Sequence, residues 1–109
     1  MTQWLDVGAA APQRPGELRA VPDAATPLAV AYVAGHWYAF EDACPHHDCP
    51  LADGYLDGTT IECDCHGSVF DLTTGAVLRG PATAAIAVYP TAQRDGHLYV
   101  SSRPSSSPL

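Results

Sequence analysis

The sequence contains no lysine, and its five arginines leave the whole interval between Arg19 and Arg79 without a Lys or Arg side chain. Acidic residues crowd the same interval, and the formal net charge is -7. Nucleic-acid binding depends on Lys and Arg contacts to phosphate, so we exclude nucleic acid as a partner. The charge favours a protein partner with a basic docking surface, although an acidic surface can also serve solubility alone.

Long apolar runs are also missing: no segment approaches the roughly 18 apolar residues of a membrane span. The first residues lack the basic and apolar regions of a signal peptide. We therefore expect a cytoplasmic protein without membrane contact. Four cysteines in such a chain indicate metal ligands or redox groups before they indicate a disulfide framework.

Helical periodicity and heptads are absent as well, whereas 10 prolines and 9 glycines interrupt the chain. This pattern predicts an all-β fold of short strands. Residues 1–101 are expected to form a single domain. Residues 102–109 are rich in Ser and Pro and predict a flexible tail. The predicted strands are 4–7, 16–21, 28–33, 36–40, 69–72, 76–78, 85–89 and 97–100, with a loop-built site between residues 44 and 71.

Residues 44–71 hold all four cysteines and three of the five histidines. Two short motifs stand out there, Cys44-x-His46 and Cys63-x-x-His66. Thiolate and imidazole ligands suit zinc, copper and iron–sulfur centres, so ligand type alone does not select the metal. Each motif supplies one sulfur and one nitrogen, an arrangement that a two-iron centre accommodates with two thiolates on one iron and two imidazoles on the other.

The segments CPHHDCPLADG and CDCHGSVFDLTTG resemble the two cluster-binding loops of Rieske iron–sulfur proteins, and the resemblance covers most of residues 37–100. It implies a Rieske-type antiparallel β-sandwich with a small cluster-binding subdomain, about residues 43–72, at one end. It also implies one 2Fe–2S cluster, in which Cys44 and Cys63 bind one iron while His46 and His66 bind the other. His47 falls outside the ligand set. The Gly80-Pro81 segment corresponds to a third loop that covers the cluster.

Neighbouring residues have candidate supporting roles, although each also fits ordinary loop chemistry. Gly67 lacks a Cβ, which would let backbone N–H groups approach the bridging sulfides. The Ser68 hydroxyl can donate to a cluster sulfur, and Pro81 belongs to the third loop.

Cys49 and Cys65 match a pair that forms a disulfide in Rieske subunits of respiratory quinol–cytochrome oxidoreductases. We expect the bridge here, although a reducing cytoplasm opposes it and two thiols are the alternative. Asp64 departs from the proline that the family usually has. Phe70 stands where high-potential relatives have a tyrosine whose hydroxyl bonds a ligand sulfur. Phenylalanine has no hydroxyl, so this hydrogen-bond donor is missing.

The resemblance implies a monomeric one-electron carrier between a flavin-dependent reductase and a terminal oxygenase. Two alternatives stay open: a small subunit of another oxidoreductase, such as a nitrite reductase system, and a zinc-stabilised structural module. The chain is not expected to be an enzyme by itself. It shows no nucleophile–base pair and has no room for a second domain with a mononuclear iron.

Overall fold

The computed structural model describes residues 3–11, 16–21, 26–44, 49–65 and 67–104. About half of the described residues lie in strands, and the regular secondary structure is otherwise limited to a 3-10 helix at Leu51–Asp53. Within those residues no helix has the length and apolar character that crossing a membrane requires. The strands are β1 (Trp4–Ala9), β2 (Leu18–Val21), β3 (Leu28–Val33), β4 (His36–Glu41), β5 (Tyr55–Asp57), β6 (Thr60–Glu62), β7 (Val69–Asp71), β8 (Val77–Arg79), β9 (Val88–Tyr89), β10 (Thr91–Arg94) and β11 (His97–Ser101).

The strands form three antiparallel sheets, which confirms the prediction of an all-β, antiparallel fold. We call them the terminal sheet (β1-β11-β10), the central sheet (β2-β3-β4-β9) and the loop sheet (β5-β6-β7-β8). The predicted β3–β4 hairpin is present, with φ of 51° at Ala34 and 83° at Gly35. Two successive residues with positive φ are typical of the type I′ turn, whose twist matches that of the paired strands.

Three strands were not predicted. β5 and β6 lie inside the segment that was expected to be loop-built, and they form a hairpin around a turn at Gly58 and Thr59. β10 lies where a loop before Asp95-Gly96 was expected. Its residues are largely exposed and do not alternate between apolar and polar, so β10 is a strand because it pairs with β11. The prediction of a loop-built site was therefore wrong for residues 55–57 and 60–62, which are strands.

Two hydrophobic cores share the central sheet because β3 is buried on both faces. Ala29 and Ala31 belong to one core, while Leu28 and Val30 belong to the other, as expected from alternation along a strand. The first core contains Cys44 and is called the cysteine core. The second lies towards the terminal sheet. The central sheet therefore joins the cysteine core to the rest of the fold.

The two ends of the described chain meet in the terminal sheet. Trp4 pairs with Ser101 in β1 and β11. The Gln3 N–H donates to Ser102 Oγ at 3.1 Å, and the Ser102 N–H donates to the Gln3 carbonyl at 2.8 Å. Ser102 is thus bonded within the fold, and residues 105–109 of the predicted tail lie outside the described residues.

Candidate metal centre

The first loop starts where β4 ends and begins with Cys44, which is 2% exposed. The Cys44 N–H donates to the Cys49 carbonyl at 2.9 Å and closes the loop. Asp42 Oδ1 accepts the Ala52 N–H at 2.7 Å, which fixes the far side of the loop to its start. Partial burial, through the loss of solvation, raises the pKa of Asp42 above its usual value. His46 and His47 lie outside the described residues.

The second loop follows β6 and begins with Cys63, which is 1% exposed. The Cys63 N–H donates to the Ser68 carbonyl at 2.7 Å, and the Gly67 N–H donates to the Cys63 carbonyl at 3.0 Å. These two hydrogen bonds fix both ends of the loop to each other. His66 lies outside the described residues.

The structure brings the two predicted thiol ligands into one core. Cys44 and Cys63 share the cysteine core with Phe70 and Ala82, and neither takes part in a disulfide. Two reduced, buried thiols from separate loops are the sulfur donors that an iron of a 2Fe–2S cluster needs. The described part of the predicted ligand set therefore fits the cluster, and the two imidazole ligands stay predictions.

The other two cysteines, Cys49 and Cys65, form a disulfide with a Cα–Cα distance of 6.5 Å. It joins the first loop to the second, which is the pairing that the sequence led us to expect. The sulfur atoms of Cys49, Cys63 and Cys65 all lie within 4.8 Å of one another. The bridge is therefore adjacent to a predicted ligand, and while it is intact these three sulfurs cannot act as a three-thiolate metal site.

The third loop packs against the second. Its Gly80–Pro81 peptide bond is cis, and Pro81 is exposed. The next residue, Ala82, is 4% exposed in the cysteine core and donates its N–H to Ser68 Oγ at 3.0 Å. Ser68 is fully buried. The Ser68 oxygen is the acceptor in this bond, so the bond does not involve the hydroxyl hydrogen of Ser68. Donation of that hydrogen to a cluster sulfur is therefore compatible with the structure.

Gly67 has a backbone conformation that favours glycine, and its predicted role towards the bridging sulfides stays a prediction. Its φ is +79°, in the left-handed region that side chains disfavour, whereas a Cβ there would meet its nearest neighbours at ordinary distances. Its N–H is bonded to the Cys63 carbonyl. The glycine therefore serves the backbone turn that closes the loop.

Three polar side chains beside the second loop were not predicted from the sequence to take part in the site, those of Tyr55, Glu62 and Arg79. Arg79 Nε donates to the Gly67 carbonyl at 3.1 Å, and its Nη2 lies 3.1 Å from Glu62 Oε1. Tyr55 donates its hydroxyl to Asp64 Oδ1 at 2.9 Å, and this hydrogen bond raises the pKa of Tyr55. A signal for Arg79 was present, since it ends the long interval without basic residues and directly precedes Gly80-Pro81.

Comparison with known proteins identifies the family. The Rieske [2Fe-2S] domain matches residues 3–90. The chain is 41% identical over 98 residues to ferredoxin CarAc of Metapseudomonas resinovorans, with 89% of this chain and 92% of that protein covered. It is 35% identical over 88 residues to the ferredoxin component of the naphthalene 1,2-dioxygenase system of Pseudomonas putida, with 81% and 85% covered.

The fold agrees with these relatives. The structure resembles a chain in the solved complex of reduced oxygenase and oxidized ferredoxin in carbazole 1,9a-dioxygenase, with a TM-score of 0.88 and 38% identity. The match covers 95% of this chain and 97% of that chain. The cofactor is one 2Fe–2S cluster, which sets aside the zinc-stabilised module, and the protein is an electron-transfer component, not an enzyme by itself. The chain belongs to the Rieske 2Fe–2S domain family.

Proposed function

We propose that this protein carries single electrons from a flavin-dependent reductase to a terminal oxygenase. Cys44 and Cys63 bind one iron of the cluster, and His46 and His66 bind the other. The observation that carries this proposal is the pair of buried thiols that open two loops, in a chain similar over most of its length to ferredoxins of dioxygenase systems. When bound, the cluster supplies a site that gains and loses one electron.

The chain's own residues shield and hold that site. Burial of the two thiols within the cysteine core excludes water from the sulfur side of the centre. The disulfide joins the first and second loops, and the Ser68–Ala82 hydrogen bond joins the second and third. The covalent bond and the hydrogen bond therefore hold the three loops together around the proposed site.

The charge distribution supports a partner with a basic docking surface. Asp57 is exposed at the end of β5, Glu62 is partly exposed at the end of β6, and Asp64 is exposed in the second loop. Complementary charge would speed the encounter with a basic partner at low ionic strength. We further propose a cytoplasmic monomer whose residues 1–101 form a single Rieske domain, with the cluster-binding subdomain at about residues 43–72.

The midpoint potential is expected in the lower half of the Rieske range, which spans roughly -150 to +300 mV. Phe70 is fully buried in the cysteine core and brings no hydroxyl to it. The exposed Asp64 follows Cys63 and opposes an added electron. Such a potential suits reduction by a flavin. Protein-film voltammetry measures it, and Phe70→Tyr should raise it; a wild-type midpoint near the top of the range would contradict transfer from a flavin reductase.

The test of the function has two stages. Iron and acid-labile sulfide analysis should give a 2Fe–2S cluster in each chain, and a colourless protein that binds zinc would refute the cofactor assignment. The holoprotein should then restore product formation when mixed with the reductase and oxygenase of a carbazole- or naphthalene-type dioxygenase system. A protein that has its cluster but accepts no electrons from any flavin-dependent reductase would refute the proposed carrier role.

A further inference from the structure

Arg79 makes contacts at both ends of the second loop. Its Nε donates to the carbonyl of Gly67, which follows the predicted ligand His66. Its Nη2 forms an ion pair with Glu62, which directly precedes Cys63. One guanidinium therefore contacts the residue on each side of the segment that contains both predicted ligands of this loop.

The position of Arg79 follows from the strand register. Arg79 ends β8 and pairs with Val69 of β7, so its side chain starts beside the end of the second loop. Gly80 and Pro81 come next in the chain, and Ala82 then bonds to Ser68. The third loop is thus fastened on both sides to consecutive residues of the second loop, by Arg79 at Gly67 and by Ala82 at Ser68.

Arg79 is the only Lys or Arg between residues 20 and 93 of the sequence. Its side chain is 62% exposed, and that of Glu62 is 43% exposed. Exposed ion pairs contribute little to the free energy of unfolding, so the contacts of Arg79 matter more for where its charge is held than for the stability of the whole fold. A positive charge held beside a redox centre stabilises the reduced form, because reduction adds a negative charge.

We propose that Arg79 is a positioning residue that holds the second loop and raises the midpoint potential of the cluster, with Glu62 limiting that increase. This inference rests on the proposed ligand set and electron-carrier function. Arg79 would thus raise the midpoint potential, whereas the negative charge of Asp64 would lower it.

The experiment compares midpoint potentials of the holoprotein in three variants and a control. Arg79→Gln removes the charge and should lower the equilibrium constant for electron uptake about threefold. That change equals about 28 mV, since tenfold corresponds to about 59 mV for one electron. Glu62→Gln should raise the constant by a similar factor. Arg79→Lys keeps the charge and should restore most of the wild-type value.

The opposite signs are the decisive feature. Arg79→Gln and Glu62→Gln both break the same ion pair, so a loosened loop would shift both midpoints in the same direction, and that result would overturn the proposal. Arg94→Gln is the matched control, because Arg94 is exposed on β10 of the terminal sheet. A shift in Arg79→Gln no larger than in Arg94→Gln would also overturn it.

Two further measurements keep the outcomes separable. Cluster content of the wild-type protein tests the proposed function independently of any midpoint. If Arg79→Gln loses its cluster, Glu62→Gln still decides the sign of the charge effect, because it also removes one charge from the ion pair. The difference in midpoint potential between Glu62→Gln and wild type should also shrink as salt is added, because salt screens exposed charges. A difference in midpoint that does not depend on salt would contradict an electrostatic origin.

Discussion

The two cysteine loops close in the same way but are supported differently. In each, the opening cysteine donates its N–H to the carbonyl of the residue five positions later, Cys44 to Cys49 and Cys63 to Ser68. The second loop then gains a further backbone bond from Gly67 and side-chain bonds from its neighbours. The described part of the first loop relies on Asp42 and on the disulfide.

The two loops therefore hold their predicted thiol ligands in two different ways. The second loop is fixed by a hydrogen-bond network that reaches it from β8 and from the third loop. The first loop is fixed by a covalent bond to the second. The stability of the first loop should therefore depend on the redox state of Cys49 and Cys65, while that of the second should depend on buried hydrogen bonds.

The largest effect is expected from removing a ligand, and it should be equal for the two loops. His46→Ala and His66→Ala should each abolish or strongly destabilise the cluster, because no neighbouring side chain is expected to fill the vacant iron position. The visible spectrum and iron content measure this. His47→Ala is the control and should keep both. Loss in His47→Ala with retention in His46→Ala would show that the ligand register is wrong.

The double variant Cys49→Ser/Cys65→Ser should come next in size. The bridge spans 16 residues, and removing a crosslink of that length costs about 3 kcal/mol in the chain-entropy account. Cluster lifetime should shorten, and hydrogen exchange should rise more at the Cys44 N–H than at the Cys63 N–H. Equal increases would contradict the difference between the loops.

The bridge itself can be tested in the wild-type protein. Thiol counting after cluster removal, without a reductant, should find the thiols of Cys44 and Cys63 alone. Reactive thiols at Cys49 and Cys65 as well would show that no bridge forms.

Ser68→Ala tests the hydrogen-bond network of the second loop. The substitution leaves the buried Ala82 N–H without its acceptor, at a cost of about 1–3 kcal/mol in unfolding free energy. It should also lower the midpoint if the hydroxyl donates to a cluster sulfur. Denaturant unfolding and voltammetry measure the two effects. Ser102→Ala removes an exposed acceptor and should change stability by less than about 0.5 kcal/mol.

The smallest effect is expected outside both loops, at Asp6 in the terminal sheet. The Gly8 N–H and then the His97 side chain lower the pKa of Asp6 from 3.8. The resulting stabilisation is present above that value and is lost as the pH falls through the lowered pKa. Asp6→Asn should therefore be slightly less stable than wild type near neutral pH, and the difference should shrink in acid. Denaturant unfolding at several pH values checks this, while the midpoint potential should not change.

Local signals predicted the parts of the fold that depend on neighbouring residues. Ala34-Gly35 between two apolar runs predicted the β3–β4 hairpin, and the spacing of Cys44 and Cys63 predicted two loops that the structure brings into one core. In contrast, β10 consists largely of exposed residues and is a strand only because β11 pairs with it. Such a strand cannot be predicted from its own residues.

The contacts of the site depend on register and were harder to predict. Arg79 reaches Gly67 because β8 pairs with β7 at Val69, and the sequence of β8 does not specify that alignment. The bond from Ala82 to Ser68 likewise needs the path of the third loop. Predictions for His46 and His66 rest on the motif and on family resemblance, since neither residue is among those described.

The two hydrogen bonds between Gln3 and Ser102 make this chain a candidate for circular permutation. A short linker could join these residues, and new termini could be opened at the exposed Ala34-Gly35 turn of the central sheet. The covalent connections of all three loops around the predicted cluster site would be unchanged. A permuted protein could therefore be attached to an electrode or fused to a reductase through the central sheet, with the strands of the loop sheet left in their native order.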